Sequence, residues 1–244
     1  INVEVYKERL FFVLKDSLTY GYLPVNAVAG TVASVNLGSV FSKGGKIMAI
    51  ATWTRDGGAG PDDNILFFTD QGEIAMYSGT DPSDATKWGL VGVYTVGRPI
   101  GHRCMLKVGS DCYLVTENGL LPMTQVLGTG EAAPNVALSD KISSSYNSSV
   151  VEFKGTFGWQ GVVYPKGGYA AVNAPASTVG DFIQYIINLE TGAWSRFTNQ
   201  DAYVWAVFNS DLYFGGSTKV YKADSGTDDS GSAIEAVAKT AFIY

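Results

Sequence analysis

Three observations in the sequence together predict an all-β fold: a β-propeller of about five four-stranded antiparallel blades, complete or part of a larger propeller, with one inserted helix near 136–153. The first is the stretch from Asn64 to Gly79, NILFFTDQGEIAMYSG. It reads as two short apolar strands around Asp70, Gln71 and Gly72, where Gly72 accepts positive φ without steric cost and Asp70 offers a local hydrogen bond. Leu66 and Phe68 fall on one face and Ile65 and Phe67 on the other, so both faces need cover. The turn is too short for a parallel crossover, so the pair is antiparallel and its sheet must lie between other sheets. The second observation is recurrence. Similar hairpins begin at Arg9, Asp111, Gly168 and Asp211, at intervals of about 50 residues, and an all-β period of about 40–50 marks propeller blades. Third, the best-marked units supply about four strands each, which is the content of a blade.

Taken in order, the chain divides as a single domain over 1–244, with units near 1–44, 45–99, 100–155, 156–200 and 201–244. In the first unit, NVEVY, RLFFVLKD, LTYGYLP and TVASVNL read as strands, with a turn at Lys7, Glu8 and Arg9. In the second, KIMAIATWT is apolar on both faces, RDGGAGPDDN is a long polar loop, the hairpin follows, and WGLVGVYTV closes the unit. The third begins with HRCMLKV, turns at Gly109 and Ser110, and continues through CYLVTEN and GLLPMTQVL. There the period changes: Leu138, Ile142, Tyr146 and Val150 are four apart, a helical stripe with Ser139 as the expected N-cap. Serines weaken that helix, so packing against the outer edge of the third unit must hold it. The fourth unit reads TFGWQGVVYP, GYAAVNAP, FIQYIINLE and AWSRFTN, with Trp194 after a turn as Trp88 is in the second. The fifth reads AYVWAVFNS, DLYFGG, TKVYKAD and the apolar IEAVAKTAFIY, a last strand placed to pair or pack against the first unit.

Such sheets shelter one another by stacking. Each neighbour removes one apolar face from water, and only closure removes the last two. At roughly 1.5–3 kcal/mol per large buried side chain, an open end is costly.

Bulk properties narrow the function. Hydrophobic residues make up 46% of the 244, enough for a sizeable core, while charged residues are only 16%, low for a free-standing monomer. That leaves neutral surface to face other subunits. The net charge of −6 and a pI near 4.8, with no basic block, argue against a clamp on nucleic-acid phosphates. No run approaches the roughly 20 apolar residues of a membrane span. No signal-peptide pattern opens the chain, and the first residue is Ile rather than Met, so a piece of a longer protein is expected. With a two-residue turn at Gly109–Ser110, Cys104 faces Val115 and Cys112 faces Lys107; the thiols project from opposite faces and stay free, as suits a reducing cytoplasm.

No residue is assigned a catalytic, cofactor-binding or metal-binding role. His102 is the only histidine and has no zinc-type Cys/His spacing and no G-x-S-x-G elbow to work with. DSGTDDSGSAIE, from Asp224 to Glu235, places acids at the first, fifth and twelfth positions of a calcium loop, but Gly226 and Asp229 stand where a ligand and the turn glycine belong. A solvated acidic linker fits better. Asp56, Asp62 and Asp63 form a similar wet loop. Glycoside hydrolysis needs two facing carboxylates, yet Asp16, Asp70, Asp84 and Asp111 sit in turns, where local backbone bonding accounts for them. The sequon Asn147-Ser148-Ser149 lies on the expected helix.

The run SLTYGYLPVNAVAG, followed by SVFSKGGKIMAIATWTRDGGAGPDDNILFFTDQGEIAMYSGTDPSDATKWGLVGVYTVGRPIGHRCMLKVGSDCYLVTENGLLPMTQVL, resembles tail proteins of short-tailed bacteriophages and prophages. These are tail nozzle or hub proteins, of the tail tubular or DNA-stabilisation type. The resemblance spans most of the chain and is sharpest from Ser17 to Leu127. It implies a non-catalytic virion structural protein, assembled in the bacterial cytoplasm, whose identical subunits form a ring below the portal. Propeller domains are part of each subunit in that family, whose members are longer than these 244 residues. The partners implied are other copies of the chain, other tail or portal proteins, and DNA that passes without specific binding. No cofactor is implied. The alternative is a carbohydrate-binding or glycan-hydrolysing β-propeller, a receptor-binding tail part. Against it, neither WGLVGV nor WSRFTN follows the S-x-D-x-G-x-x-W spacing of a sialidase-type Asp box. A kelch protein has only Gly215-Gly216 and Tyr221 in its favour.

Overall fold

The computed structural model describes residues 2–54, 64–129, 137–229 and 231–233. The chain lays down antiparallel sheets one after another, each a meander in which every strand pairs with its neighbours in sequence. Sheet I contains β1 (Val3–Tyr6), β2 (Arg9–Val13), β3 (Thr19–Tyr22) and β4 (Ala33–Asn36). Sheet II contains β5 (Ile47–Trp53), β6 (Asn64–Thr69), β7 (Glu73–Gly79) and β8 (Trp88–Thr95). Sheet III has β9 (Met105–Val108), β10 (Asp111–Thr116) and β11 (Gly119–Pro122). Sheet IV has β12 (Gln160–Tyr164), β13 (Tyr169–Pro175), β14 (Phe182–Asn188) and β15 (Trp194–Phe197). Sheet V has β16 (Val204–Phe208), β17 (Asp211–Gly215) and β18 (Val220–Lys222), followed by a short ribbon, β19 (Asp228–Asp229) with β20 (Ser232–Ala233). The hairpins that set the sequence period are the second and third strands of each sheet: β2, β6, β10 and β17 begin at Arg9, Asn64, Asp111 and Asp211, and β13 begins one residue after Gly168.

Local chemistry fixes the turns. Lys7 and Glu8 take φ of 46° and 61°, and Asn209 and Ser210 take 49° and 64°, so two-residue turns of the left-handed kind match the twist of their strands. Gly72 closes the β6–β7 hairpin at φ 77° against the backbone of Val96, where a side chain would collide. Asp70 does not bond locally as expected. Its Oδ1 accepts the Lys46 amide at 2.9 Å, which tethers the start of β5 to this turn.

Every residue of β5 is buried, as are Ile65–Thr69 of β6 and Glu73–Tyr77 of β7. One face of sheet II (Ile50, Ile65, Phe67, Ala75, Tyr77) joins Tyr6, Phe11, Tyr20 and Tyr22 of sheet I. The other (Ala51, Trp53, Leu66, Phe68, Ile74, Met76) joins Leu106, Cys112 and Leu114 of sheet III. Sheet IV is likewise double-sided: Ala170, Val172, Tyr185 and Ile187 face the core shared with sheet III, while Val162, Tyr164, Ala171 and Ile186 meet Trp205 and Leu212 of sheet V. Aromatic rings carry much of the sheet I–II contact, with Tyr20 on Phe67 at 4.4 Å and Trp88 stacked on Phe11 at 5.8 Å and on Tyr77 at 5.6 Å.

Sheet III departs from the four-strand expectation. Pro122 cannot extend the ladder, and the chain turns directly into a helix, α1 (Met123–Thr129), where the pattern GLLPMTQVL reads as continuing strand. The place beside β11 goes to a 3₁₀ turn over Leu138–Ile142 and to α2 (Ser143–Phe153). The expected helix is therefore present and lies against the third unit, but Ser139 does not cap it. Ser139 is buried in the 3₁₀ turn, and its Oγ accepts the Leu120 amide at 3.1 Å, satisfying the free edge of β11. Sheet V has three strands among the described residues; the expected strand IEAVAKTAFIY lies outside them. The polar loop with Asp56, Asp62 and Asp63 also lies outside them.

Candidate functional site

The first strands of the sheets, β1, β5, β9, β12 and β16, succeed one another side by side, and polar side chains stitch each to the next. Asn2 Oδ1 accepts the Ile50 amide at 2.8 Å, and Thr52 Oγ1 donates to Glu4 at 3.2 Å, joining β1 to β5. Lys107 Nζ on β9 donates to the Thr52 carbonyl at 2.9 Å. The Gly161 amide donates to the Arg103 carbonyl at 3.0 Å, within a parallel bridge between Arg103 and Gln160. Gln160 then clamps β16: its Oε1 accepts the Trp205 amide at 2.9 Å and its Nε2 donates to the Trp205 carbonyl at 2.8 Å. Asn173, fully buried, bonds the Gly158 and Ala202 carbonyls and accepts from Trp205 Nε1 at 3.0 Å. Gln160 and Asn173 thus use both the oxygen and the nitrogen of their buried side-chain amides, as burial demands.

Beside the starts of β1, β9 and β12 lies a cavity of ≈ 520 Å³ lined by Asn2, His102, Arg103, Met105, Gln160 and Gly161. Residues from sheets I, III and IV thus meet at one place. Gly161 permits the approach, because a side chain there would occupy the space of Leu106. Arg103 is held on three sides. Nη1 donates to Gln160 Oε1 at 2.9 Å, Nη2 donates to the Tyr203 carbonyl at 3.2 Å, and the guanidinium lies 5.1 Å from the centre of the Phe157 ring. Burial holds its pKa below the ordinary arginine value. A second, shallower hollow of ≈ 480 Å³ lies between sheets II and III, with Arg98 and Glu117 in its lining.

His102 sits in a turn beside this cavity, and among the described residues no group of three His, Cys, Asp or Glu side chains is placed to hold a metal ion. In the acidic segment, Asp228 Oδ1 accepts the Gly231 amide at 2.9 Å within the β19–β20 ribbon, while Glu235 lies outside the described residues. Of the turn aspartates, Asp84 is locally bonded as expected, to Thr86. Asp16 instead pairs with Lys46 at 2.6 Å, and Asp111 Oδ1 gathers Trp53 Nε1, the Cys112 amide and the Thr124 amide, tying sheet II to sheet III and α1. The bond from the Cys112 amide to Asp111 is local, as the turn context predicts; the bonds to Lys46 and Trp53 join elements distant in sequence, which that context alone does not reveal. Ser149 of the sequon is buried and hydrogen-bonded to the Tyr185 hydroxyl at 2.8 Å. Cys104 and Cys112 form no disulfide and are buried; Cys112 pairs with Lys107, and the Val115 amide donates to the Cys104 carbonyl at 2.8 Å, the register expected.

Reasoning from sequence missed Arg103 and Asn2. Neither belongs to a motif, and the only available signal was the position of each at the start of a first strand. Among the described residues, no helix is long and apolar enough to cross a membrane. Comparison of the chain with protein-family models and with curated proteins finds no match.

Proposed function

We propose that the chain is a β-propeller module of a bacteriophage tail: a non-catalytic structural protein of the nozzle or hub below the portal, which scaffolds tail assembly and genome passage. In this reading sheets I to V are successive blades, and the first strands line the axis. Consecutive meanders that share double-sided cores, with first strands stitched one to the next, support the propeller.

The observation that carries the assembly is the state of the two end sheets. Each covers one face and leaves the other apolar and exposed. On sheet I, Val3 and Val5 are 54% and 62% exposed; on sheet V, Phe208 and Val220 are 65% and 75% exposed. Faces of that kind on a chain with few charges suit burial against other copies or other tail and portal proteins. The acidic balance suits a wall past which DNA moves without being held. The location that follows is the virion tail, after assembly in the host cytoplasm.

Light scattering with negative-stain imaging of the purified protein tests the reading. A defined oligomer or ring is expected, and Phe208→Asp is expected to weaken it. A chain that stays monomeric at every concentration and captures no portal or tail protein refutes it. Saturable binding on a glycan array, or hydrolysis of a glycan, would replace it with the carbohydrate-binding alternative.

A further inference from the structure

We propose that the cavity at the meeting of the first strands binds a small oxyanion, the phosphate or carboxylate group of a small molecule. The assignment rests on which polar atoms of the lining residues remain uncommitted. Asn2 commits its Oδ1 to the Ile50 amide, so its Nδ2 hydrogens are the part left for the cavity. Gln160 commits its Oε1 twice, to Arg103 Nη1 and to the Trp205 amide, and uses one Nε2 hydrogen on the Trp205 carbonyl. Its remaining polar capacity is a donor. Arg103 has five N–H groups; two are engaged with Gln160 and Tyr203, leaving three. The His102 ring makes no hydrogen bond to the described residues and supplies a further nitrogen. The lining is thus rich in donors, contains no carboxylate, and carries the guanidinium charge.

The charge is also unanswered. Arg103 is half-buried, and among the described residues it forms no ion pair, although the chain has 23 acidic residues against 17 basic ones. A partly desolvated cation without a counterion gains from an anion more than an exposed one does. Arg103 is also pre-organised: two hydrogen bonds and the Phe157 ring fix the plane of its fork before any ligand arrives, which reduces the entropy lost on binding. A volume of ≈ 520 Å³ lies within the range of small-molecule sites and exceeds what one inorganic anion fills, so the group bound belongs to a larger molecule.

Isothermal titration calorimetry on the whole chain decides this, with sodium phosphate, sodium citrate and glucose as separate titrants at low ionic strength. Saturable one-site binding of phosphate or citrate, and none of glucose, is expected; the better of the two anions tells phosphate from carboxylate. Arg103→Gln is expected to weaken binding by about tenfold or more. Because Arg103 also joins two sheets, His102→Gln is the companion variant: it breaks no hydrogen bond to the described residues, should keep the wild-type unfolding midpoint, and should weaken binding about three- to tenfold. Absence of saturable heat with both anions overturns the proposal. So does binding that His102→Gln leaves unchanged, or glucose binding of equal strength.

Discussion

Glu73 illustrates what a single side chain does in this structure. It is 3% exposed, yet it is a carboxylate, and its two oxygens accept the Ser42 amide at 3.1 Å, the Ser42 hydroxyl at 2.7 Å and the Lys43 amide at 2.7 Å. Burial by itself would raise its pKa, but these three donors outweigh burial and hold the carboxyl below the usual glutamate value. A depressed folded pKa contributes stability that is complete above the unfolded value of about 4.3 and is lost as pH falls through the lower folded value. Glu73→Gln is therefore expected to cost about 1–3 kcal/mol at neutral pH. In urea titrations the gap between wild type and variant should close below pH ~4. A gap that persists unchanged into acid would show that the charge is not what stabilises the Ser42–Lys43 segment. The same residue fixes the link between sheets I and II, because its partners lie in the connection that precedes β5.

Among the elements, β12 ties three sheets together. It pairs with β13, meets β9 through the Arg103–Gln160 bridge, and grips β16 through Gln160. Its Gly161 has no side chain at the point where Leu106 of β9 packs down. Gly161→Ala is expected to destabilise by about 1–3 kcal/mol through overpacking, seen as a lower denaturant midpoint. Restoring room with Leu106→Ala in the same chain should recover part of the loss; purely additive effects would mean the two residues do not share that space. Helix α2 offers the contrasting case. Its serines give weak intrinsic propensity, and it is held instead by Tyr146, whose hydroxyl donates to the Thr116 carbonyl at 2.7 Å, and by Tyr185, whose hydroxyl meets Ser145 and Ser149.

At the scale of the whole molecule, the largest core joins sheets II, III and IV with both helices, and both cysteines lie within it. Burial pushes the Cys104 thiol up to about 12, so it carries almost no thiolate at neutral pH. Neither thiol should react with a thiol-specific chromophore in the native state, and both should become reactive together, at the denaturant concentration where circular dichroism reports global unfolding. Early labelling of one cysteine alone would show that sheet III opens as a separate unit. The hairpin period, the doubly apolar β6–β7 pair, the thiol register and the helical stripe at Leu138 to Val150 were all legible in the sequence. Each depends on alternation or turn chemistry within about a dozen residues. Asp16, Asp70 and Ser139 were misread because their hydrogen-bond partners come from elsewhere in the chain, and Asp111 adds the distant Trp53 to its local bond with the Cys112 amide. The cavity was invisible for the same reason: Asn2, His102 and Gln160 become neighbours only when β1, β9 and β12 converge.

The sequence by itself determined that the chain forms consecutive antiparallel sheets, the clearest of them apolar on both faces, because strand alternation and glycine-bearing turns are encoded locally. Only the tertiary structure decided that a helix replaces the fourth strand of sheet III, that Arg103 stands without an acidic partner among the described residues, and that sheets I and V each keep one apolar face exposed. Those outcomes depend on which surfaces remain uncovered after packing. That balance is struck across the whole chain and leaves no trace in any short stretch of it.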